Sequence, residues 1–162
     1  AETLDLSGLE IIDANISTSL NKSIAANTFI TKFSHHNRPL NNSELDEVKQ
    51  RIKNNFINFS SIKSSIRIKN ISSKNFNKVV NISNVQDKSK KRNLLTIETS
   101  DSPVLLVKIA RVLFENGTSI YSARINTLGD RVEDTFEIED VTLSCVADKK
   151  IKKISQSLKE II

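Results

Sequence analysis

The chain has 162 residues, enough for one compact domain or two small ones, and its 24 Lys and Arg against 19 Asp and Glu give a net charge of +5. With 38% hydrophobic residues it is expected to fold rather than stay disordered. Cys145 is the single cysteine, which excludes an internal disulfide or a cysteine-rich zinc site. No apolar run approaches the roughly 18 residues of a membrane span, and the first residues do not resemble an export signal, so a cytoplasmic protein without a membrane partner is expected.

The first predicted elements are a β-hairpin over residues 9–19 and 24–33 and a helix that follows Ser43. Residues 1–7 are interpreted as the end of an earlier helix, in a unit that lacks its first strand and most of its first helix. A sheet without that strand leaves backbone groups unpaired, which predicts pairing in trans or a rearranged unit. The apolar stripe of the helix consists of Leu45, Val48, Ile52 and Phe56.

Residues 59–91 are predicted to form a solvated linker with at most short strands, around 66–71 and 79–85. Between Ile62 and Arg92, nine basic residues stand against one acidic residue, so the positive charge is concentrated here. A nucleic-acid surface usually couples basic residues to aromatic platforms or a recognition helix, and the only aromatic residue of this stretch is Phe76. We therefore interpret the charge as solvation of a linker and expect no nucleic-acid partner.

The remaining residues predict a strand, a helix, a hairpin and a second helix. After the β-rich run 93–99, Asp101 or Ser102 is placed to cap a helix that ends at Asn116-Gly117. Residues 118–128 and 131–140 alternate as two strands, and residues 149–162 form an amphipathic helix. The alternation assigns Tyr121, Ala123, Ile125, Thr127, Val132, Phe136 and Ile138 to the buried face, and Ser122, Arg124, Asn126, Glu133, Thr135, Glu137 and Glu139 to the wet face.

An internal repeat fixes the organisation of the chain. Residues 8–18 align without gaps on residues 117–127, with Gly, Ile, Ala, Ile and Thr recurring at an offset of 109. The sequence therefore predicts two related units, 1–58 and 92–162, joined by the linker 59–91. Their element order predicts an α+β fold of tandem ferredoxin-like βαββαβ units, with an antiparallel sheet and its helices on one face.

The second unit resembles an ACT domain, the small module by which many metabolic enzymes sense amino acids. The run ARINTLGDRVEDTF at 123–136 is similar to the last ACT domain of the bifunctional PII uridylyltransferase/uridylyl-removing enzymes, and residues 9–16 with 27–29 resemble their penultimate one. The resemblance implies a C-terminal sensor pair that binds glutamine and controls upstream catalytic domains, whose substrate is the PII protein. It also implies self-association through ACT sheets.

The resemblance also indicates where an effector would bind. Members of the family usually carry Asp-Arg-Pro-Gly at the turn between strand and helix, whereas this chain has Val104 in place of the glycine, which narrows or abolishes this half of the site. The turn at the end of the same helix is the other side of the usual pocket. The candidate effector-binding residues are Asp101, Ser102, Val104, Asn116, Gly117 and Thr118.

No catalytic site is predicted within the chain itself. Nucleotidyl transfer in the family needs a Gly-Ser turn to hold phosphates and paired carboxylates to hold magnesium, and this sequence has neither feature. The resemblance implies that the parent enzyme uses magnesium. The adjacent His35 and His36 are expected to be exposed in a loop, and Cys145 to be a small, buried hydrophobic residue and not a nucleophile. Two alternatives stay open: an interaction or dimerisation module that binds no ligand, and the ACT domain of another amino-acid-responsive enzyme.

Overall fold

The computed structural model describes residues 2–19, 21–33, 38–57, 80–102 and 105–162. The expectations for His35, His36, Val104 and the short strand at 66–71 lie outside these residues. None of the described helices is long and apolar enough to cross a membrane. The elements are α1 (Glu2–Asp5), β1 (Leu9–Thr18), β2 (Ala25–Phe33), α2 (Asn42–Ile57), β3 (Asn81–Asp87), β4 (Arg92–Ser100), α3 (Leu105–Glu115), β5 (Thr118–Leu128), β6 (Arg131–Asp140) and α4 (Asp148–Ile161).

The strands form one six-stranded antiparallel sheet in the order β2-β1-β5-β6-β4-β3. Two apolar clusters join the helices to this sheet, one around α3 and α4 and a smaller one around α1 and α2. Ile11 and Phe29 pack against both clusters, so all four helices cover the same face of the sheet. The α+β class and the antiparallel sheet covered on one face are therefore confirmed.

The first strands of the two hairpins, β1 and β5, pair with each other across an approximate twofold axis. Asn15 lies opposite Arg124, and these two residues are equivalent in the repeat because they are 109 positions apart. Such isologous pairing is the geometry of a symmetric dimer, here within one chain. The same axis exchanges the pair Ala14–Ile125 with the pair Ile16–Ala123. It also exchanges the pair Asp13–Asn126 with the pair Ser17–Ser122.

A β-bulge occurs at the same place in both repeats, between Ile11 and Asp13 in β1 and between Ile120 and Ser122 in β5. The extra residue reverses the in-and-out alternation of the strand. The prediction that Tyr121 shares the buried face of β5 is therefore wrong. Its ring lies against the guanidinium of Arg92 on the uncovered face, 3.2 Å from guanidinium carbon to ring centroid, and Ile120 packs on the core instead.

Strand β3 comes from the segment expected to be a linker, and it pairs with β4 along its whole length. It occupies the edge beside the first strand of the second repeat, where the closing strand of a ferredoxin-like unit would otherwise lie. The fully buried Asn93 holds this arrangement together. Its side-chain amide donates to Asn84 Oδ1 on β3 at 3.1 Å, and its Oδ1 accepts from the buried amide of Val146, just before α4, at 2.7 Å.

We expect Asn93→Ala to lower the free energy of unfolding by about 2 to 3 kcal/mol, because it leaves the buried Val146 N–H without an acceptor and frees β3. Urea denaturation followed by circular dichroism measures this change. Asn81→Ala, at the exposed start of β3, is the matched control and should change stability by less than about 0.5 kcal/mol. Equal effects of the two substitutions would contradict a structural role for Asn93.

Candidate functional site

A cavity of about 320 Å³ lies between the two repeats, on the face of the sheet covered by the helices. We call it the inter-repeat pocket. The first repeat contributes Asp5, Leu9, Glu10 and Ile11, and the second contributes Asp101, Ser102, Leu105, Leu106, Val107, Ile125, Thr127, Val132 and Asp134. Both repeats are therefore needed to form its walls.

Two turns face each other across this pocket. The chain leaves α1 through Gly8, whose φ of +73° is the left-handed conformation that favours glycine, and this turn directs β1 along the pocket. On the other side, Asp101 and Ser102 follow the end of β4 at Ser100, and the amide of Asp101 donates to the carbonyl of Asp130 at 2.8 Å. Because the repeats are related by a twofold axis, the helix-end turn of one repeat meets the strand-to-helix turn of the other.

The structure thus separates the candidate effector residues into two groups. Asp101 and Ser102 line the pocket, whereas Asn116, Gly117 and Thr118 lie beyond the far end of α3, an 11-residue helix that is about 16 Å long. In that second group, Gly117 O accepts from Lys150 Nζ at 2.9 Å and Thr118 Oγ1 donates to Leu113 O at 2.6 Å.

The pocket is acidic. Four of its lining residues are carboxylic acids (Asp5, Glu10, Asp101 and Asp134), and no Lys, Arg or His lines it among the residues that the structure describes. Burial raises the pKa of Asp5 and of Asp101, and the Glu10 carboxylate adds to the rise at Asp101. Lys32, which forms an ion pair with Glu10 at 2.9 Å, partly opposes the rise in the pKa of Asp101.

Asp134 lies at the floor of the pocket and is 1% exposed. The one hydrogen bond of its side chain within the described part of the chain is a long one, 3.4 Å from the Asn126 amide to Oδ1. Burial raises the pKa of Asp134 from its ordinary 3.8 to about 7, and the negative charge of Asp101 adds to the rise. Half of the Asp134 carboxyl groups therefore carry a proton near neutral pH.

Sequence reasoning missed Asp134 and all four residues from the first repeat. The signal for Asp134 was its position between Val132 and Phe136, which places an acid on the inward-facing side of β6. The signal for the others was the repeat itself, since a twofold relation brings the turn at Gly8 to the strand-to-helix turn of the second repeat.

Ser102 completes the polar side of the pocket. Its carbonyl accepts from the Leu105 amide at 3.1 Å at the start of α3, while its hydroxyl is buried and has no hydrogen-bond partner within the described residues. A buried hydroxyl of this kind and a helix N-terminus suit a carboxylate or an amide oxygen, whereas the acids suit a cation. The arrangement can hold a small molecule with both kinds of group.

The described residues offer little for catalysis. No group of three or more His, Cys, Asp or Glu among them is arranged to hold a metal ion. Cys145 is half-buried, and its thiol lies 3.7 Å from the carbonyl oxygens of Asp87 and Arg92, with no histidine among these contacts.

Comparison with known proteins identifies relatives named bifunctional uridylyltransferase/uridylyl-removing enzyme. The protein of Psychrobacter sp. (strain PRwf-1) is 25% identical over 158 residues, which cover 98% of this chain and 18% of the relative. That of Psychrobacter arcticus is 26% identical over 156 residues, 96% of this chain and 17% of the relative. That of Burkholderia mallei (strain SAVP1) is 49% identical over 51 residues, 32% of this chain and 6% of the relative.

These similarities confirm that the chain is related to the bifunctional uridylyltransferase/uridylyl-removing enzymes. The chain spans less than a fifth of the length of the curated relatives it matches. No family model matches the chain. No solved structure matches it either.

Proposed function

We propose that this chain, which is related over nearly its whole length to part of the bifunctional uridylyltransferase/uridylyl-removing enzymes, is a regulatory region that binds an amino acid. Glutamine is the proposed effector and the inter-repeat pocket the proposed site. The observation that carries the proposal is that the pocket takes its walls from both repeats, so that an occupant contacts two units whose relative position it can influence.

The chemistry of the pocket supports an amino acid as its occupant. Asp101 and Asp134 can accept hydrogen bonds from an α-ammonium group, and the free hydroxyl of Ser102 can donate to a carboxylate or a side-chain amide. Apolar side chains such as Leu105 and Ile125 suit the methylene groups between them. A volume of about 320 Å³ lies at the small end of ligand pockets, which run from roughly 300 to 1,000 Å³.

Regulation follows from differential binding. A ligand that contacts both repeats stabilises the arrangement in which both contacts are made, and this bias can pass to neighbouring catalytic domains. In this proposal those domains lie upstream, transfer uridylyl groups to the PII protein and remove them, and use magnesium for the transfer. The chain itself performs no chemistry and acts only through its conformational equilibrium.

Calorimetric titration with glutamine tests the proposal. We expect binding at millimolar or lower glutamine, weaker binding of glutamate because the pocket is acidic, and about a tenfold loss of affinity in Asp101→Asn, which removes one acceptor for the ammonium group. Glu133→Gln, on the exposed side of β6, is the matched control and should bind as the unsubstituted chain does.

Absence of heat at millimolar glutamine, glutamate and asparagine alike would contradict the proposal. It would favour the second candidate, an assembly module that binds no ligand. One observation favours that module: the uncovered face of the sheet exposes the apolar side chains of Ile30, Val85 and Leu94.

A further inference from the structure

We propose that the inter-repeat pocket binds its ligand through a cationic amino group that displaces a proton from Asp134, so that occupancy of the pocket falls as the medium becomes more acidic. The inference deepens the proposed function and rests on it for the role of the pocket. The recognised group of the ligand is the amino group, and the residue that loses a proton is Asp134.

The first support is the position of the Asp134 side chain. It is 1% exposed and lines the cavity, and within the described residues it accepts one long hydrogen bond, from the Asn126 amide to Oδ1, and none to Oδ2. A buried carboxyl group with an unused oxygen is costly to keep ionised unless a donor or a cation reaches it. The described residues that line the pocket supply no cation, and the Asn126 amide is the donor that reaches the carboxyl group.

The second support is that the charged side chains lining the pocket around Asp134 are acidic. The strand-to-helix turn brings Asp101, α1 brings Asp5, and β1 brings Glu10 with its ion-pair partner Lys32 from β2. The described residues of α3 and the neighbouring strands bring only uncharged side chains: Leu105, Leu106, Val107, Ile125, Thr127 and Val132. The missing component of this site is a positive charge.

An entering ammonium group would supply that charge. The O–H bond of the protonated Asp134 carboxyl breaks, its electron pair stays on the carboxylate oxygen, and the proton passes to water or buffer. The carboxylate and the ammonium then form a charge-assisted hydrogen bond in the dry floor of the pocket. One proton is released for each ligand bound to a protonated site, and the total charge is conserved.

The size of the pH effect on ligand affinity follows from the fraction of Asp134 side chains that are ionised before the ligand binds. With a pKa of about 7 for Asp134, this fraction falls from about nine tenths at pH 8 to about one tenth at pH 6. The apparent affinity for an amine is expected to fall by about tenfold over the same interval. In Asp134→Asn this dependence should be absent.

Carbon-13 NMR of the side-chain carboxyl groups tests the inference with a probe other than glutamine. The signal of Asp134 is identified by its loss in Asp134→Asn and followed from pH 4 to 9, first without additions and then with 100 mM butylammonium chloride. The control contains 100 mM sodium chloride and 100 mM butanol, because butanol has the same butyl group as butylammonium but carries no positive charge. We expect a midpoint near pH 7 that butylammonium lowers by at least one pH unit and the control leaves in place.

A midpoint that butylammonium does not move, or one that lies near pH 4 from the start, would overturn the inference. The two proposals fail separately. If butylammonium lowers the midpoint and no amino acid binds, the glutamine-sensing function is wrong and the amine site stands. If glutamine binds and the Asp134 midpoint stays unchanged, the sensing function stands and the proton displacement is wrong.

Discussion

Asp134→Asn is expected to raise the free energy of unfolding at pH 8 by about 2 to 4 kcal/mol. The folded carboxyl has a pKa of about 7, raised by burial from 3.8, so the folded chain holds a proton on Asp134 at pH values where the unfolded chain has already lost it. Stability from this residue is therefore largest in acid, falls as the pH rises from about 4 to 7, and is fully lost above pH 7. The neutral asparagine removes the cost of a buried charge and keeps an oxygen for the Asn126 amide.

Urea denaturation of both chains at pH 4, 6 and 8 measures this effect. The stabilisation by Asp134→Asn should be greatest at pH 8 and small at pH 4, where the original side chain is neutral in the folded state. Glu133→Gln, one position earlier on the exposed side of the same strand, should show no comparable trend. A gain of equal size at pH 4 and pH 8 would show that the Asp134 carboxyl is not held in a buried site.

Ala14→Asp is expected to lower the free energy of unfolding by about 3 to 5 kcal/mol, because it places an unpaired charge in the seam between the repeats. Ala14 is 1% exposed, pairs with Ile125 of the other repeat, and belongs to the main apolar cluster under α3 and α4. A carboxylate at this position has no cationic partner among the core residues that surround it.

Asn15→Asp is the control for this substitution, since Asn15 is the next residue of β1 and its side chain is on the exposed face, opposite Arg124. It should change stability by less than about 0.5 kcal/mol. Circular dichroism during urea denaturation measures both chains. If Ala14→Asp lowers the free energy of unfolding no more than Asn15→Asp does, the pairing of β1 with β5 does not hold the two repeats together in solution.

Local pattern predicted much of the fold. The alternation in β5 and β6, the apolar spacing of α3 and α4, and the glycine at the end of α3 correspond to elements in the structure because each depends on residues close together in sequence. Tyr121 was misplaced because a bulge shifts the alternation by one residue, and no residue type marks such a bulge. The pairing of β3 with β4 was not predicted because its polar residues resemble those of a linker.

The site was less predictable than the fold. Asp101 and Ser102 were identified from the turn between strand and helix, a local feature that the resemblance to ACT domains had already marked. Asp5 and Glu10 come from about 90 residues earlier in the chain and reach the pocket only through the pairing of β1 with β5. Asp134 was missed because acids on a strand usually face water, although its position between Val132 and Phe136 places it on the inward-facing side of β6.

The place of β3 has a consequence for how the chain tolerates cleavage. A protease cut just before Arg92 would remove the covalent link between β3 and β4, and dissociation of β3 would then leave β4 with an open row of amide and carbonyl groups beside the exposed Leu94. Open, apolar edges of this kind recruit strands from other molecules. Strand β3 therefore protects the edge of the second repeat, and we expect its loss to make that repeat prone to aggregation.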